Sequence, residues 1–99
     1  MEALDFNLIR FSQDPTFVYR RIAGECLLVP IRQQVADLQY IYVLNPVANR
    51  IWELLDGQRT LAEVRDRLLE EFEVSSEELE QDLQEFIAQL RQIEAIREI

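Results

Sequence analysis

Carboxylates are the one abundant ionisable group in this sequence. There are 19 Asp and Glu, against ten arginines, no lysine, one cysteine and no histidine. Without histidine, and with Cys26 alone, zinc, haem and iron–sulfur sites lose their usual ligands. Serine, cysteine or carboxylate nucleophiles lose their commonest general base. A carboxylate-only metal or acid–base site is the chemistry left over. The acidic residues instead fall on helical faces at solvated spacing, so the expectation is a protein that is not an enzyme and needs no cofactor. Cys26, in the run ECLLV, is expected to act as a small buried hydrophobe.

Charge narrows the partners. The net charge is −9, divided as −1 over residues 1–44 and −8 over residues 45–99. Nucleic-acid binding draws most of its affinity from cations on phosphates, and anionic membrane surfaces want the same sign. Both are disfavoured. No apolar run approaches the ~20 residues of a membrane span, and MEALDFNLIRF lacks a basic-then-apolar signal pattern. The expected setting is soluble and cytoplasmic.

The elements that would position any site divide the chain in two. Phe17–Ala23 and Cys26–Ile31 read as strands around a short Ala23-Gly24-Glu25 turn, a hairpin pattern. After a polar connection, Gln39–Leu44 (QYIYVL) reads as a third strand. Three helices follow. Asn45 caps the first, with Pro46 at its first position, and Gly57 suits a left-handed terminator. Thr60 with Glu63 forms a capping box for the second, and Ser75 with Glu78 for the third. Leu79, Leu83, Phe86, Leu90 and Ile93 line one side of that third helix, with Ile87 alongside. The predicted fold is α+β and winged helix-turn-helix-like: a three-stranded antiparallel sheet followed by three helices. Residues 1–14 read as a loosely ordered N-terminal extension and 15–99 as the domain.

The central segment resembles the PqqD family. The residues that carry the resemblance are Tyr42, Leu44, Asn45, Pro46, Ala48, Ile51, Trp52, Glu53, Leu54, Leu55, Asp56, Gly57 and Thr60, then Phe72, Val74, Glu77 and Asp82. Proteins resembling this family are small winged helix-turn-helix domains that serve as peptide chaperones, or RiPP recognition elements. The resemblance implies a precursor's leader peptide as partner, handed to a modifying enzyme such as a radical SAM protein. It further implies that the leader adds as a strand to the third strand, in a groove against the third helix.

Residue types suit that role. An edge strand offers unpaired N–H and C=O groups that an extended peptide can satisfy. Tyr40, Ile41, Tyr42 and Val43 supply the strand, and Tyr42 is expected to contribute a main-chain donor. Leu79, Leu83 and Ile87, with Glu80 and Gln84 beside them, supply the helix wall. The acidic start of that helix suits a leader with some basic residues. Set against this, apolar residues at helical spacing are more often core than site. The competing readings are a winged-helix transcription regulator, a protein–protein interaction module, and a homodimer joined through the third helix or the free strand edge.

Overall fold

The computed structural model describes residues 5–31 and 42–99. Its elements run β1 (Arg10–Gln13), β2 (Phe17–Ile22), β3 (Glu25–Pro30), β4 (Tyr42–Leu44), α1 (Pro46–Leu54), β5 (Asp56–Thr60), α2 (Leu61–Glu71), α3 (Ser76–Gln92) and β6 (Ile96–Glu98). The protein is α+β, with two antiparallel sheets and three helices among the described residues.

The hairpin forms as its sequence indicates. Ala23 and Gly24 both sit at positive φ, 53° and 82°, as a two-residue turn of the type matching strand twist requires. Register runs from Ile22↔Glu25 next to the turn to Phe17↔Pro30 at the far end. β4 pairs with β3, giving the order β2-β3-β4. Tyr40 and Ile41 lie outside the described residues, as does the polar connection before them.

The helix caps are also local and direct. Asn45 Oδ1 accepts from the Ala48 N–H at 2.8 Å, so the chain passes from β4 into α1 without a linker. Thr60 and Glu63 complete a reciprocal box: Glu63 accepts from the Thr60 N–H at 2.9 Å, and Thr60 Oγ1 accepts from the Glu63 N–H at 3.3 Å. Ser75 Oγ accepts from the Glu78 N–H at 3.2 Å.

Three expectations need correction. The boundary drawn at residue 14 does not follow the packing. β1 is the middle strand of a second sheet, β5-β1-β6, and Phe11 is 1 % exposed. The segment before it is docked as well: the Leu61 and Ala62 N–H groups donate to the Ile9 and Phe6 carbonyls at 3.1 and 2.9 Å. These satisfy two donors that a helix start leaves open. Asp56–Thr60, expected only to end one helix at Gly57 and cap the next at Thr60, is strand β5. Gly57 does take φ 82°, but two residues beyond the Leu55 cap, where an added Cβ would lie 3.4 Å from Ser12 Cβ. The C-terminal EAIREI turns back as β6, and without a glycine the turn falls on Glu94, at φ 59°. Among the described residues the sheet count is therefore two rather than one.

The core lies between the sheets and the helices. Phe11, Leu28, Leu61, Leu68, Leu83 and Leu90 are each at most 2 % exposed. Cys26 is buried there as a free thiol and accepts from the Tyr19 hydroxyl at 3.2 Å.

Candidate functional site

β4 is an edge strand: among the described residues it pairs only with β3. Which of its main-chain groups face outward follows from the hairpin. Across a two-residue turn the flanking pair, Ile22↔Glu25, exchanges hydrogen bonds, and such pairs then alternate with non-bonded ones. The far end agrees: Phe17↔Pro30 is a non-bonded position, suiting a residue without an N–H, and the Ile31 N–H donates to Thr16 at 2.8 Å. Residues 25, 27 and 29 thus turn to β2, and Cys26 and Leu28 turn to β4. In the β3–β4 register, Cys26↔Leu44 and Leu28↔Tyr42 become the bonded pairs, and Leu27↔Val43 the non-bonded one. The N–H and C=O of Val43 therefore point to the free edge. The expectation that Tyr42 supplies the outward donor is corrected: its N–H is directed at β3.

Beside this edge runs an open groove of about 380 Å³, lined by β4, the start of α1 and one stripe of α3. Tyr42, Val43 and Leu44 form one wall. Val47, Ala48 and Ile51 of α1 form the floor, held in place by the Asn45 cap. Asp82, Glu85, Phe86 and Gln89 of α3 form the opposite wall. Their spacing of i, i+3, i+4 and i+7 puts them on one helical face.

The position of α1 is reinforced from behind. Arg50 donates through Nε and Nη2 to the two Glu71 carboxylate oxygens at 2.8 and 3.0 Å. This bidentate pair ties α1 to α2 with defined geometry. The Arg50 hydrogen bond, supplemented by Arg67, holds the Glu71 carboxyl below the usual carboxylate range. The same bond raises Arg50.

The sequence-predicted site residues divide sharply. Tyr42 and Val43 line the groove. Leu79, Leu83 and Ile87 do not: they are 0 %, 0 % and 1 % exposed and belong to the core. Glu80 is half-buried, with an oxygen 3.7 Å from Arg65 Nη1 on α2. Gln84 is exposed and is not among the groove residues. The reason is rotational. The wall of α3 lies roughly 60–160° around the helix from Leu83, at 100° per residue, so the best apolar stripe faces inward and the groove takes its border. Phe86 is that border residue: half-buried, packed on the core and open to the groove. An aromatic at the margin of an apolar stripe, flanked by Asp82 and Glu85, was the available signal. Asp82 also stands at a motif position of the resemblance.

Among the described residues no cluster of His, Cys, Asp or Glu has an arrangement able to hold a metal ion. Nor is any described helix long and apolar enough to cross a membrane. The family model for coenzyme PQQ synthesis protein D (PqqD) matches residues 25–96. The chain belongs to the PqqD family. The match spans β3 through the first residue of β6, and so includes both groove walls. Among solved structures, the chain is similar to TbiB1, determined in complex with the TbiA(beta) leader peptide. The two share 24 % identity at a TM-score of 0.70, over 87 % of this chain and 94 % of that one. At that identity the likeness speaks to the fold. No curated protein matches the sequence.

Proposed function

We propose that this PqqD-family protein is a non-catalytic recognition domain that binds the leader segment of a ribosomally made precursor peptide and presents it to a modifying enzyme. The leader adds as a strand along β4, and its inward side chains enter the groove against Phe86 and the floor of α1. The observation that carries this reading is the conjunction of an edge that no described strand but β3 pairs, with the Val43 N–H and C=O facing away from β3, and an apolar groove directly beside it. Main-chain pairing supplies affinity whatever the peptide sequence, and pockets for alternate side chains supply choice. A chain of the same fold was solved with a leader peptide, which supports the reading. The packed α2–α3 pair is in keeping with a winged helix-turn-helix domain. In such a module the modifying enzyme, of the radical SAM class implied by the family, would do the chemistry.

The transcription-regulator alternative is disfavoured by α3. Glu77, Glu78, Asp82 and Glu85 are all exposed on it, and they would meet phosphates with the wrong sign.

The test is NMR on the isotope-labelled full chain, titrated with a synthetic leader from the short open reading frame beside its gene. The expected result is amide shifts at Val43 and side-chain shifts at Phe86. Shifts confined to α2 or to the β5-β1-β6 sheet would overturn the assignment. Titration with duplex DNA at low salt is expected to give no binding.

A further inference from the structure

Resting on that reading, we propose that the groove selects a peptide strand bearing a lysine or arginine next to its apolar anchor, with the cation held between Asp82 and Glu85. Among the described residues that line the groove there are two carboxylates and no cation. That imbalance is local in origin. All six arginines of residues 45–99 are engaged elsewhere: Arg50 with Glu53 and Glu71, Arg59 with Asp56, Arg65 with Asp66 and Glu80, Arg67 with Glu71, Arg91 with Glu98, and Arg97 with Asp14. Among the described residues neither Asp82 nor Glu85 has an ion pair. Glu85 accepts one long bond, from Gln81 Nε2 at 3.4 Å.

Helix physics does not account for these two charges. The helix dipole favours acids within the first turn, where Glu77 and Glu78 stand. Asp82 and Glu85 are the seventh and tenth residues of α3, beyond its reach. Aspartate is moreover a weak helix former in a helix interior. Side chains three apart lie ~5–6 Å from each other at Cβ, close enough to flank one cation. Their mutual repulsion is relieved when one binds.

The same geometry argues against a second copy of this chain as occupant. Each copy carries −9, and apposed grooves would bring carboxylates together. A cationic peptide strand satisfies the β4 edge, the apolar floor and the charge at once.

The experiment is selection of random twelve-residue peptides by display on the full-length protein. It is run in parallel on an Asp82→Asn/Glu85→Gln variant and on a charge-matched Glu70→Gln/Glu73→Gln variant. Glu70 and Glu73 are exposed and outside the groove. Enriched peptides are then synthesised, located by the Val43 amide shift and measured by fluorescence anisotropy. The expected result is enrichment of Lys or Arg at one position of the selected motif. Affinity for the groove variant should fall about three- to tenfold at 0.1 M salt and less at 1 M, and affinity for the matched variant should hold within about twofold. Peptides that shift Val43 but show no basic preference, or weaken equally in both variants, would overturn the charge inference and leave strand docking intact. If no selected peptide shifts Val43, the groove reading itself fails and the inference goes with it.

Discussion

Replacing Val43 by proline tests the main-chain mechanism at one atom. On the β3–β4 register, the Val43 N–H faces the free edge and makes no bond to β3. Proline on an edge strand is tolerated when its missing N–H faces outward, and the residue before it is already extended, as proline prefers. Val43 is 63 % exposed, so little packing is lost. Val43→Pro should therefore leave the fold standing, with stability changed by no more than about 1 kcal/mol. Peptide binding is another matter. The variant cannot donate to the added strand, and the ring presses on the peptide carbonyl that would have accepted. An unmet group of this kind costs ~1–3 kcal/mol, or roughly a 5- to 150-fold loss of affinity. The assay is anisotropy with a labelled peptide that shifts the wild-type Val43 amide, with circular dichroism and a melt as fold controls. Val43→Ala keeps both main-chain groups and should stay within about threefold of wild type. A folded Val43→Pro protein with unchanged affinity, or a Val43→Ala loss as large as the proline loss, would refute the reasoning. Tyr42→Pro should instead disrupt the β3–β4 pairing and lower the melting temperature.

The two sides of α3 should respond differently to truncation. Leu83→Ala, at a site 0 % exposed, is expected to cost about 2–5 kcal/mol of stability by denaturant titration, whereas Phe86→Ala should cost less stability and more peptide affinity. Ala23→Asn places a residue suited to positive φ where alanine now sits at 53°, and should add about 0.5–1 kcal/mol, seen as a rise of several degrees in melting temperature. Glu63 is held below its ordinary pKa by the Thr60 N–H and hydroxyl. Its stabilising effect is therefore complete above the unfolded glutamate pKa, near 4.3, and is lost as pH falls through the lower folded value. The stability gap between wild type and Glu63→Gln should be constant from pH 8 to about 5 and close below about 4. A gap that persists at pH 3 would contradict that linkage.

What the sequence determined by itself is what is encoded within a few residues. Asn45, Thr60 and Ser75 start the three helices because each cap satisfies an N–H only three positions away. The Ala23-Gly24 turn needs only its own two dihedrals. The missing histidine, the single cysteine and the −8 charge of the helical half narrow the chemistry before any folding. The tertiary structure decided the rest. β1 and β6 are four and three residues long, too short for alternation to be read, and Phe11 is opposite Glu98, a partner no local pattern can name. α3 has a wide apolar stripe, and periodicity alone leaves open which margin stays uncovered. The packing of α3 against α2 and β6 settled it, burying Leu79, Leu83 and Ile87 and leaving Asp82, Glu85 and Gln89 to the groove. The free donor moved from Tyr42 to Val43 for a similar reason. Hydrogen-bond direction along a strand alternates with a phase that the partner strand sets.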